Sequence, residues 1–94
     1  MLLNISLSEI IMNHEEFKKR LITIIKIRKT LTRKELVDAL NMFWQHNKPK
    51  LNEIYQYYCY NILRNLLVKF DTIIEESNRR YYYVHATKLL TYIQ

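Results

Sequence analysis

The stretch LNEIYQYYCYNILRNLLVKF, residues 51–70, places apolar side chains at Leu51, Ile54, Tyr55, Tyr58, Cys59, Ile62, Leu63, Leu66, Leu67 and Phe70. That alternation of three and four predicts an amphipathic helix with a wide buried stripe. Its other face would carry Asn52, Glu53, Gln56, Tyr57, Tyr60, Asn61, Arg64, Asn65 and Lys69, and no acid falls between Glu53 and Asp71. Such a face is either the ordinary polar surface of a core helix or a surface that meets nucleic acid. Amides, phenols and cations are the groups that hydrogen-bond base edges and phosphates.

Towards the N-terminus, residues 41–50 read as a connection. Asn47 is a candidate N-cap for the long helix, and Pro49 falls in its first turn, where a missing N–H costs nothing. Lys48 and Lys50 would sit at the positive end of that helix. This is a small cost, tolerable where a phosphate binds. Further upstream, Thr32 and Glu35 form a T-x-x-E capping box, with Leu31 and Leu36 spaced as a hydrophobic staple. A short helix is expected from Arg33 to about Met42, with Leu36, Val37, Leu40 and Phe43 on its apolar side.

Asn13 to Lys29 predicts another helix, capped by Asn13, with Glu15 and Glu16 in its first turn. Phe17, Leu21, Ile24, Ile25 and Arg28 share a face. Residues 17–34 hold eight basic side chains and no acid. That run is either a solvated face or a contact for a phosphate backbone. Ser6 with Glu9 suggests a further short helix in the first 13 residues. Leu2, Leu3, Ile5 and Leu7 make this arm too apolar to stand alone, so it covers its own core or packs on a second subunit.

Beyond Phe70, the β-prone runs Thr72–Glu76 and Arg80–His85 flank Ser77, Asn78 and Arg79. Asn suits a left-handed turn position, so a β-hairpin is expected with Arg79 and Arg80 at its tip. Ala86 to Gln94 reads as a terminal helix with Ala86, Leu89, Leu90 and Ile93 on one face.

The composition limits what these elements can do. The chain has 94 residues, 49% of them hydrophobic, and no linker-like segment, which fits one domain over residues 1–94. Lys and Arg exceed Asp and Glu by 15 to 9, a formal charge of +6 that either keeps the protein soluble or draws it to polyanions. There is no glycine, which excludes a P-loop or a dinucleotide-binding turn. The single cysteine permits no internal disulfide, and with no signal peptide visible a cytoplasmic location is expected. No apolar run is long enough to span a membrane. His14, His46 and His85 have no ligand spacing, so no metal is expected. No catalytic triad or carboxylate pair is detectable, so neither enzymatic activity nor a cofactor is expected.

In this order, helix, helix, capped helix, long helix, β-hairpin, terminal helix, the chain resembles a winged helix-turn-helix domain over roughly residues 15–85. The run Tyr58-Cys59-Tyr60-Asn61-Ile62-Leu63-Arg64-Asn65-Leu66 resembles the family's recognition helix, and Arg79-Arg80-Tyr81-Tyr82-Tyr83 its basic-aromatic second wing strand. Phe70-Asp71 stands where the family usually has a glycine, the turn before the long helix is long, and tyrosines replace the usual serine and threonine readers. The glycine-free, Tyr/Ile/Lys-rich character resembles the winged helices of archaeal viruses and plasmids, which act as transcription regulators or, in the AspA-like group, as plasmid segregation adaptors.

The resemblance implies a mainly α fold with a small β-hairpin and terminal helices that dimerise. It implies a sequence-specific double-stranded DNA-binding homodimer on a palindrome, serving transcription regulation or plasmid partition. In the second role another segregation protein would be a partner. Gln56, Tyr57, Tyr60, Asn61 and Arg64 would face the major groove. Arg33, Lys34, Lys48 and Lys50 would hold the backbone, and Arg79 and Arg80 would act from the wing. The alternative is a winged helix used for protein–protein contact, which would need an apolar patch on the long helix. A membrane-surface protein would instead expose bulky apolar residues opposite the lysines of the 14–29 helix.

Overall fold

A computed structural model describes residues 12–93. The protein is mainly helical with one small two-stranded antiparallel sheet. Its elements run α1 (His14–Lys26), β1 (Thr30–Thr32), α2 (Arg33–Asn47), a 3₁₀ turn (Lys48–Lys50), α3 (Glu53–Glu76), β2 (Tyr83–His85) and α4 (Ala86–Leu90). The expected helix within the first 13 residues falls almost entirely outside the described residues. Met12 is buried, and its N–H donates to the Lys50 carbonyl at 2.7 Å, so the chain enters beside the start of α3.

Local hydrogen bonds set where the helices begin. Asn13 caps α1 by accepting from the Glu16 N–H at 2.9 Å. At α2 the Glu35 N–H donates to Thr32 Oγ1 at 3.2 Å while the Thr32 N–H donates to Glu35 Oε1 at 2.8 Å, a complete capping box. Leu31 and Leu36, the staple pair, are both buried in the core. Hydrogen bonding to its carboxylate from the Thr32 N–H, then from the Thr32 side chain, favours the charged form of Glu35 and lowers its pKa, with a smaller contribution from the charge of Arg28.

Three expectations about this part of the chain are corrected. α2 does not stop near Met42 but runs five residues further, to Asn47, because Phe43 is buried and Trp44 packs edge-on against Phe17 and Tyr60. Asn47 does not cap α3. It is buried at the end of α2, its amide donating to the Phe43 carbonyl at 2.9 Å and accepting from Arg20 at 3.3 Å. Asn52 caps α3 instead, accepting from the Tyr55 N–H at 2.9 Å. Pro49 and both flanking lysines lie in the 3₁₀ turn, not in α3.

Of the two antiparallel strands, β2 falls in the expected Arg80–His85 run, but its partner is not Thr72–Glu76. β1 pairs with it in the register Thr30↔His85, Leu31↔Val84, Thr32↔Tyr83. Residues 72–76 continue α3, which is 24 residues long. Ile73 and Ile74 lie half-buried against the core, and the Thr72 hydroxyl donates to the Val68 carbonyl at 3.0 Å. Tertiary packing here outweighs β-propensity, a weak and context-dependent preference.

α3 ends in a Schellman motif: the Asn78 N–H donates to Glu75 O at 3.0 Å and the Arg79 N–H to Ile74 O at 3.1 Å. Asn78 (φ 56°) and Arg79 (φ 60°) are left-handed there, as is Lys29 (φ 40°) after α1. In a chain without glycine, these three positions are filled by side chains that tolerate the conformation at a cost.

The core gathers Phe17, Leu21 and Ile25 of α1, Leu36, Leu40 and Phe43 of α2, and Cys59, Leu63, Leu66 and Phe70 of α3. Val84 and the terminal residues Ala86, Leu89 and Ile93 join them. α4 is only one turn and a half, giving way to turns after Leu90. Its apolar face is consumed within the chain, packed against α1 and α3.

Candidate nucleic-acid interface

α3 presents a long outer surface because its inner stripe is occupied by the core on one side only. Tyr57 is 71% exposed and Arg64 and Asn65 are exposed, while Asn61 is partly covered between them. Arg64 forms no ion pair among the described residues. Tyr60 leans towards α2, its ring 5.4 Å from that of Trp44. Together with Arg64 it edges a small cleft lined by Val37, Asn41, Trp44 and Leu67. Tyr57, Tyr60, Asn61 and Arg64 are thus brought onto one side of one helix. Gln56 is not among them as a free group: its amide Nε2 donates to the Leu51 carbonyl at 3.1 Å and the Lys48 carbonyl at 3.3 Å, closing the turn before α3.

Ile54 and Tyr58, expected in the buried stripe, are instead exposed, at 67% and 57%. The pattern could have revealed this. Ile54 lies five residues before the fully buried Cys59, about 140° away around a helix of 3.6 residues per turn. Val68 is also exposed further along. The outer face of α3 is therefore less polar than the sequence suggested, with Ile54, Tyr57 and Tyr58 adjoining over its first turns.

The cations divide into two groups. Arg33 is held by Asp71 of α3, Nε to Oδ1 at 2.9 Å and a second guanidinium nitrogen to Oδ2 at 3.4 Å. Lys34 pairs with Asp38 at 3.3 Å, and Arg79 with Glu75 at 3.2 Å. Two of the four residues expected to hold the DNA backbone, Arg33 and Lys34, and one of the two wing residues, Arg79, thus have carboxylates beside them. Lys48, Lys50 and Arg80 have none among the described residues, and neither have Lys26, Arg28 and Lys29.

Next to Arg79 and Arg80, Tyr81 and Tyr82 stand exposed ahead of β2, each with its ring edge-to-face against Tyr83. An open cleft of about 440 Å³ separates them from Arg33, Asp71 and Glu75. Cys59 is fully buried, and burial pushes its thiol pKa up to about 11, so it is neutral and inert near pH 7. Among the described residues no group of three or more His, Cys, Asp or Glu side chains is placed to hold a metal ion. No helix among them is long and apolar enough to cross a membrane.

No family model, curated protein or solved structure matches this chain.

Proposed function

We propose that this chain is a sequence-specific double-stranded DNA-binding protein, with α3 entering the major groove, acting as a transcription regulator or as a plasmid partition-site adaptor. The observation that carries this reading is the outer row of α3. Tyr57, Asn61 and Arg64 share it, and no carboxylate falls between Glu53 and Asp71. Asn can bond adenine and Arg guanine in pairs of hydrogen bonds, each discriminating by roughly 1–3 kcal/mol. The element order supports a winged helix-turn-helix reading in part: α2 and α3 are a helical pair and β1 pairs with β2, while Ser77–Tyr82, which joins α3 to β2, is a connection and not the expected hairpin. Lys48, Lys50 and Arg80 are the backbone contacts that need no rearrangement. Arg33, Lys34 and Arg79 would first have to leave their carboxylates.

A homodimer on a palindrome belongs to this proposal. The apolar face of α4, expected to help pair the two copies, is used within the chain.

The exposed Ile54, Tyr57 and Tyr58 favour a second reading, a protein-contact module, because they form the kind of apolar patch that such a module requires. Selection from random duplexes at two salt concentrations separates the two readings. DNA reading predicts a motif that survives the higher salt. A protein module predicts no motif.

A further inference from the structure

Lys26, Ile27, Arg28 and Lys29 form the elbow between α1 and β1, and nothing in the groove-reading scheme uses it. The elbow is pinned along its length. The Ile27 N–H donates to Thr23 O at 3.4 Å and the Arg28 N–H to Ile25 O at 3.1 Å. The Lys29 carbonyl accepts from the Ala86 N–H at 2.8 Å, and Thr30 pairs with His85. All four elbow residues are exposed, with Ile27 at 74%. None of the three cations has an ion-pair partner among the described residues, in contrast to Arg33 and Lys34 only a few positions on. The elbow is followed directly by β1, which leads into the first turn of α2. Lys29 holds its place in left-handed backbone at φ 40°, where a residue with a Cβ is strained.

We propose that this elbow is a second duplex-DNA contact, a rigid phosphate clamp separate from the outer face of α3. It rests on the DNA-binding reading and adds to it three further cations that have no ion-pair partner among the described residues. Free cations on a fixed backbone lose little freedom on meeting a phosphate, whereas Arg33, Lys34 and Arg79 must exchange one anion for another. The exposed Ile27 sits among the three charges and would lie against the sugar edge. A basic residue at a helix C-terminus also stabilises that helix through its dipole, so thermal unfolding of each variant accompanies the binding measurement.

The test compares two triple variants of the full chain on random-sequence duplex DNA and on the selected motif. One is K26A/R28A/K29G, with glycine at 29 to suit the backbone. The other is the charge-matched control K18A/K19A/K88A, which leaves α3 untouched. Neutralising phosphate contacts reduces the slope of log affinity against log salt by about 0.9 per contact. The elbow variant should therefore lose roughly 2–3 units of slope and at least tenfold in affinity, while the control loses far less. Equal losses in the two triples would overturn the clamp, and so would no loss in either. Arg64→Ala is measured alongside. If it relaxes the motif while the elbow triple matches the control, groove reading survives and the clamp does not. If the elbow triple abolishes binding while Arg64→Ala has no effect, the clamp stands and groove reading by α3 falls. Absence of binding by the wild-type chain overturns both.

Discussion

Lys29, Asn78 and Arg79 carry the left-handed turns that glycine carries in most proteins. Asn78 was legible in the sequence, because Asn is the cheapest side chain for that conformation. Lys29 was not, since nothing local distinguishes it from its neighbours. Asn78→Ala should cost about 1–2 kcal/mol in urea unfolding, with Asn78→Gly close to neutral. Lys29→Gly should gain roughly 0.5 kcal/mol, the relief of strain less the entropy glycine gives the unfolded chain. A loss on Lys29→Gly would contradict a left-handed residue there.

Cys59 gives a residue-level pH prediction. Its folded pKa is raised to about 11 by burial, above that of the unfolded thiol. The neutral thiol's contribution is therefore fully present below the unfolded thiol pKa and is lost as pH rises towards about 11. Stability should decline through that alkaline window in the wild type and decline less in Cys59→Ala. Glu35 has the opposite sign: its folded pKa is lowered by the Thr32 hydrogen bonds. Its stabilisation is present at neutral pH and lost as pH falls below the usual carboxylate range. Thr32→Ala should remove about 1 kcal/mol through the lost cap and flatten that acid limb only in part, because the residue-32 N–H still donates to Glu35.

At the scale of elements, features that depend on local hydrogen bonds were readable and those that depend on distant packing were not. The caps at Asn13 and Thr32 and the Glu35 box follow from residues three apart. Asn47 was the expected cap for α3, and Asn52 takes that role. The choice is made by Arg20 and the Phe43 carbonyl, which draw the Asn47 side chain into the interior. The strand expected at Thr72–Glu76 gave way to helix because Phe70, Ile73 and Ile74 continue the inner stripe of α3 and no breaker precedes Asn78.

The Arg33–Asp71 pair joins α2 to this part of α3 across an exposed surface, and such pairs contribute less than about 1 kcal/mol. Asp71→Asn should therefore leave the unfolding midpoint nearly unchanged. It should raise affinity for DNA roughly threefold by releasing Arg33 and removing an anion. Unchanged or weaker binding in a folded Asp71→Asn protein would remove α2's first turn from the interface.

For the whole molecule, the charge of +6 conceals an uneven distribution. Carboxylates neutralise Arg33, Lys34 and Arg79, while the α1–β1 elbow, the 3₁₀ turn and the outer side of α3 keep their charge. The sequence shows the excess but not the pairing, because Arg33 and Asp71 are 38 residues apart. The fold also settles where the C-terminal stripe goes, into the chain's own core.

The most direct test of α3 as a reading helix is selection of duplexes by the purified protein at low and high salt, repeated with Asn61→Ala and Arg64→Ala. A reading helix selects a palindromic motif that is retained at the higher salt and relaxed at defined base pairs by each substitution. A wild-type protein that selects no motif, or a motif that both variants select unchanged, would contradict it.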